Sequence, residues 1–159
     1  MIYIIGVNHA LQHDGNTPHV GPSFEVLQIL RQEFGSYLKE QALSVKAVCI
    51  AEEFNEDAIR NSGASSSIAQ KITSELGIRH IFCEPSIKKR RSLGITKVSK
   101  KEDFLKREKC WLTKLIHNKQ IDTIFICGPD HIVSFPSLLH DAEFDFVIVD
   151  ENYKGEYFK

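Results

Sequence analysis

No apolar run in this sequence approaches the roughly 18 residues that a membrane-spanning helix needs. The amino terminus also lacks a basic segment leading into a long apolar one. Met1 enters Ile2-Tyr3-Ile4-Ile5 at once, which reads as a strand and not as a secretory leader. Cysteine is sparse: Cys49, Cys83, Cys110 and Cys127 lie far apart, and none forms the C-x-x-C of a zinc ribbon. Three of the four fall in apolar runs, where free cysteine acts as a small hydrophobe. A reduced, cytoplasmic location without membrane contact is the expectation. Net charge is also lacking, at −1, so overall charge selects no acidic or basic partner. There is no GxxxxGK[ST] and no GxGxxG to cradle a phosphate, and no GxSxG elbow of the common serine hydrolases.

What is present is an ordinary globular composition, 42% hydrophobic and 26% charged, in 159 residues. That length predicts one domain, residues 1–150, followed by a polar tail, 151–159. Short apolar runs alternate with helical patterns. Strands are expected at Ile2–Val7, Val45–Ala51, Ile78–Cys83, Asp122–Cys127 and Phe144–Val149. Between them, Val26, Leu27, Leu30, Phe34 and Leu38 make one helical face over Ser23–Gln41, and Ile68, Ile72 and Leu76 another over Ser65–Leu76. Ser99-Lys100-Lys101-Glu102 has the form of a capping box. It opens a helix to His117 with Phe104, Glu108, Trp111 and Leu115 in line. A short helix is expected at Ser134–His140. The alternation predicts an α/β fold, a three-layer α/β/α domain with a mostly parallel five-stranded sheet.

Two of the strands run into the same motif. Ile2–Ile5 meets Gly6-Val7-Asn8-His9, and Thr123–Cys127 meets Gly128-Pro129-Asp130-His131. Ligands of open parallel sheets bind beyond the strands' carboxyl ends. The two GxxH turns therefore read as walls of one site, and they hint at an old duplication. The second strand ends in Glu52-Glu53 and the third in Glu84-Pro85. Glu52 and Glu53 must point to opposite faces if the strand persists, so one of them faces the site. His9, Glu53 and His131 offer ligands for a divalent metal, Mn²⁺, Co²⁺ or Zn²⁺, that would activate water. The same groups can act without metal, with histidine as general base. The bland reading of each is a turn, cap or surface residue. His13 and His19 share the loop of His9, where a three-histidine cluster is conceivable. His80, His117 and His140 read as structural or surface residues.

Arg107 borders the buried helical stripe and can reach inward to a carboxylate or a substrate oxyanion, or lie along the flank. From Lys88 to Lys109 there are ten Lys/Arg against three Asp/Glu. That patch can meet an anionic partner, nucleic acid included, although it has no obvious series of interleaved aromatics for base stacking.

The order of these motifs (GVNH, a strand ending in Glu52-Glu53, Arg107-Glu108-Lys109-Cys110-Trp111, GPDH) resembles the TraB/PrgY/GumN superfamily. That group takes in the Tiki metalloproteases and, more distantly, the erythromycin esterase and ChaN-like proteins. The resemblance matches His9 and His131 to the family's histidines, Glu52 or Glu53 to its glutamate and Arg107 to its arginine. It implies a metal-dependent hydrolase of a peptide or ester bond. This chain lacks most of the helical insertions of longer members. Two further functions stay open: a non-catalytic ligand-binding or regulatory domain that keeps the pocket, and a nucleic-acid-associated protein using Lys88–Lys109.

Overall fold

The structure is a computed structural model that describes residues 1–15, 22–95, 101–117 and 121–155. Five strands form one sheet in the order β3-β2-β4-β1-β5, every neighbouring pair parallel. They are β1 (Ile2–Val7), β2 (Cys49–Glu52), β3 (Arg79–Phe82), β4 (Thr123–Cys127) and β5 (Phe146–Tyr153). Six α-helices accompany them among the described residues: α1 (Phe24–Ser44), α2 (Glu56–Ser62), α3 (Ile68–Leu76), α4 (Ile87–Ser92), α5 (Lys101–Ile116) and α6 (Ser134–Asp141). The expected α/β architecture is what the chain adopts.

Strand alternation sorts the core into two layers. Ile5, Val7, Ile50, Ile124 and Ile126 pack with Leu27, Leu30, Phe34 and Leu38 of α1 and with Ile68 and Ile72 of α3. Ile2, Ile4, Ala51, Phe125 and Cys127 pack with Trp111 and Leu115 of α5 and with Phe135 and Leu139 of α6. The central strands are therefore apolar on both faces, as buried parallel strands must be. Local chemistry sets the helix ends. Ser67 and Gln70 form a capping box on α3, and Gly77 closes it with φ 66°, a left-handed turn that suits glycine.

Several boundaries differ from the sequence expectation. α1 continues to Ser44, so Val45 caps a helix instead of opening a strand. Residues 56–62 and 87–92 form short helices where no helix is expected; Asn55 and Ser86 cap them through their side chains. β5 extends past residue 150 to Tyr153, whose ring packs on Phe34 and Tyr37, so the expected tail begins inside a strand. The Ser99 capping box lies partly outside the described residues, and His19 lies wholly outside them. Among the described residues no helix is long and apolar enough to cross a membrane.

Candidate active site

Beyond the carboxyl ends of β1, β2 and β4 lies a cleft of about 310 Å³, lined by Asn8, His9, Glu53, Phe104, Arg107 and the Gly128–His131 turn. Glu53 is its hub. Residue 51 faces α5 and α6, so two positions on, Glu53 faces them too, while Glu52 turns to the other layer. The side chain of Glu53 is only 1% exposed. Its Oε2 accepts the Gly128 N–H at 2.7 Å. Its Oε1 receives Arg107 Nη2 and lies 3.4 Å from His131 Nε2 and 3.5 Å from His9 Nε2.

Arg107 reaches this point because its position on α5 borders the buried stripe. Its Nε donates to Glu84 Oε1 at 2.9 Å and its Nη2 to Glu84 Oε2 at 3.0 Å, a bidentate pair. Glu84 also accepts from Trp111 Nε1 at 2.9 Å and Arg90 Nε at 3.0 Å. His131 lies between the rings of Phe104 and Trp111, 4.1 and 4.7 Å away by centroid. Its Nδ1 meets Glu108 Oε1 at 2.7 Å, and Ser134 Oγ donates to the same oxygen at 2.5 Å. Three carboxylates thus face two guanidinium groups and one imidazole in a nearly dry network. Paired charge is the condition under which such burial is tolerated.

The titration shifts follow. Burial alone pushes the Glu53 carboxyl up; the His131 hydrogen bond and the charges of His9, Arg107 and His131 overcome it and hold the group at about 2. Burial lowers His131, but hydrogen bonds to Glu108 and Glu53 outweigh it and raise the imidazole to about 9. Both shifts favour a charged pair, Glu53 as carboxylate and His131 as imidazolium, against the opposing charge of Arg107, whose Nη1 stands 3.3 Å from His131 Nε2. His9 differs: its side chain is 51% exposed, and the Gln12 amide Nε2 stands 3.2 Å from its Nδ1. It is the more exposed of the two histidines that line the cleft.

Of the residues expected at the site, His9, Glu53, Arg107 and His131 converge. Glu52 does not. Fully buried on the opposite face, it takes Ser67 Oγ at 2.5 Å and His80 Nε2 at 2.6 Å. The strand pleat is the reason for this correction. His13 is also turned away: its ring packs on Phe54, its Nδ1 accepts the Gly15 N–H at 3.1 Å, and burial with nearby Arg31 lowers its pKa. Asp130 stands exposed on the cleft wall.

The expected metal ligands His9, Glu53 and His131 do come together, yet their donor atoms are occupied. Glu53 Oε1 holds the Arg107 cation, Glu53 Oε2 holds a backbone N–H, and His131 Nε2 lies 3.4 Å from Glu53 Oε1 and 3.3 Å from Arg107 Nη1. A divalent ion needs lone pairs at these atoms and no guanidinium among them. As arranged, the set does not fit one. Among the described residues no three His, Cys, Asp or Glu side chains form a group that could hold a metal ion.

Sequence reasoning missed Gln12 and Ser134 and gave Glu108 no role. Glu108 did leave a signal, as a charged residue on the apolar line of Phe104, Trp111 and Leu115. In the basic segment, Arg90, Lys106 and Arg107 are paired with Glu84, Asp103 and Glu53; beyond it, Lys114 donates to Phe82 O at 2.6 Å. Lys88, Lys89 and Arg91 remain exposed on α4. No protein-family model, curated protein or solved structure matches this chain.

Proposed function

We propose that this protein is a hydrolase of a peptide or ester bond that works by acid–base catalysis at His9. One observation carries the reading: a half-exposed imidazole stands 3.5 Å from a buried, ionised glutamate at the mouth of a cleft. His9 takes a proton from a water in the cleft and returns it to the leaving group. The Glu53 carboxylate stabilises the imidazolium form while the proton is held. Arg107 and His131 place positive charge beneath the cleft, where it favours a developing oxyanion. The resemblance to the TraB/PrgY/GumN superfamily belongs to this proposal and agrees with its hydrolytic chemistry. The metal-dependent version requires Arg107 to leave Glu53 and His131 to give up its ring proton, so the arrangement favours the metal-free one.

The test is hydrolysis of p-nitrophenyl esters and a peptide library by wild type and His9→Ala, each after a chelator wash and with Mn²⁺, Co²⁺ or Zn²⁺ restored. Turnover that survives chelation and disappears in His9→Ala is the expected result. Turnover that requires an added ion restores the metal version. A second reading, a binding or regulatory domain, draws on the mutual neutralisation of the buried charges. A ligand that raises Tm without being turned over would favour it; occupancy at 100 Kd is worth about 2.7 kcal/mol.

A further inference from the structure

Beside the cleft runs a second depression, about 450 Å³, between α5 and α6. The two share Phe104 and Asp130. Leu105 is 49% exposed and Val133 83% exposed on its walls, with Leu138 beside them. Scattered exposed apolar side chains need no explanation. Here two of them, with half-buried Leu138, border one hollow that shares Phe104 and Asp130 with the candidate active site. Its lining includes the Ser134–Glu108 pair, and Glu108 Oε1 is the atom that holds His131 Nδ1 at 2.7 Å. A group lying in the hollow meets the apolar side chains of Phe104, Leu105, Val133 and Leu138, with Lys101, Asp130 and Asp141 at its margins, and adjoins the site through Phe104 and Asp130.

We infer that this groove is a specificity subsite for a flexible apolar group attached to the scissile carbonyl. The inference rests on the hydrolase reading and names its substrate class: acyl compounds with an alkyl or branched apolar substituent in preference to acetyl or glycyl ones. Continuity with the cleft decides the occupant. A ligand whose carbonyl faces His9 removes apolar surface from water if its substituent lies over Phe104 in the groove, and does not if the substituent stays in solvent. Each methylene fully buried there tightens binding by about fourfold, and each half-buried one by about twofold.

The experiment has a binding arm and a turnover arm. In the first, methylphosphonate and hexylphosphonate, which cannot be hydrolysed, are titrated calorimetrically into wild type, Val133→Asp, Leu105→Asp and Leu43→Asp. Leu43 is 60% exposed on α1, away from both hollows, and serves as the control. In the second arm, p-nitrophenyl acetate to octanoate and the p-nitroanilides of acetyl-glycine and acetyl-leucine are compared by kcat/KM. The groove predicts at least about tenfold tighter binding of the hexyl probe, retained in Leu43→Asp and erased in Val133→Asp and Leu105→Asp. It also predicts a matching preference in whichever substrate series is turned over. Equal binding of the two probes, or turnover indifferent to chain length and side chain, overturns the subsite and leaves the hydrolase reading standing. A hexyl preference without turnover of any substrate keeps the groove as a binding site and removes the hydrolase reading.

Discussion

The two GxxH turns share a sequence spacing and differ in almost everything else. After β1 the 3-10 turn covers His9–Leu11 with Asn8 as its cap; after β4 it covers Pro129–His131 with Gly128 as its cap. Matched turn for turn, His9 corresponds to Pro129 and His131 to Leu11. The first position of each turn is exposed and the third is buried. One histidine is therefore left half in solvent, and the other is pressed into the core at 3% side-chain exposure. The glycines differ in the same way. A Cβ on Gly6 would meet the Glu151 carbonyl oxygen at 2.1 Å, whereas one on Gly128 would meet His9 Nε2 at 3.2 Å and Glu53 Oε2 at 3.4 Å. Gly6 lets β5 approach β1; Gly128 leaves room for the site. Equal spacing thus produced unequal positions, and the duplication hinted at by the motif finds no support in the turns.

The largest effect that tests this contrast comes from the cation beneath both histidines. Arg107→Ala leaves Glu53 and Glu84 buried without their main counter-charge. A loss of about 3–5 kcal/mol is expected, read as a drop in the urea midpoint. His131→Leu, which places in the second turn the residue type of the first, should cost about 2–3 kcal/mol. The leucine fits the buried position, but Glu108 keeps only Ser134. His9→Ala should stay within about 0.5 kcal/mol of wild type. It should nevertheless lower turnover by about 10²–10⁴-fold if His9 transfers the proton. Comparable stability losses in both histidine variants would erase the distinction between the turns.

A pH titration sharpens the contrast further. His131 has a folded pKa of about 9, above its ordinary 6.5. Its contribution is fully present below about 6.5 and is lost as pH rises through about 9, some 3 kcal/mol in all. Glu53, lowered from 4.5 to about 2, contributes above 4.5 and loses that contribution as pH falls through about 2. The His131–Glu53 contact enters both shifts, so the two do not add. Urea midpoints measured from about pH 6 to 9.5 should fall in wild type and stay flatter in His131→Leu. Parallel curves would mean that His131 is neutral in the folded protein.

The strands, most helices and the convergence of four site residues were legible because each rests on local rules. Apolar runs bounded by turns gave the parallel sheet, and strand ends gave the place where the four candidate residues meet. The short helices at Glu56–Ser62 and Ile87–Ser92 were not legible, since no apolar periodicity marks them and their caps, Asn55 and Ser86, resemble any loop residue. The metal reading treated two histidines as equivalent lone-pair donors. Whether a ring is protonated depends on Glu108, 23 residues away in sequence, and on the burial imposed by a turn offset that spacing does not reveal. Glu108 was nonetheless readable as a misfit: a carboxylate on a helix's buried stripe implies a buried cationic or donor partner.

The smallest expected effect concerns the neighbouring carboxylates that the sequence could not separate. Glu53→Gln keeps the Gly128 contact within reach of its amide oxygen but removes the charge that faces Arg107, His131 and His9, so turnover should fall at least about tenfold. Glu52→Gln acts on the other layer. Its amide oxygen can still accept from Ser67 and His80, and no guanidinium faces it among the described residues. The Glu52 Oε2 atom is buried with no hydrogen-bond partner, so losing its charge removes a cost as well as an attraction. Stability should therefore change by less than about 1 kcal/mol, and kcat/KM should stay within about twofold of wild type. A loss of turnover in Glu52→Gln equal to that in Glu53→Gln would mean that the sheet does not separate the two carboxylates functionally. The assignment of Glu53 as the site's hub would then have to be abandoned.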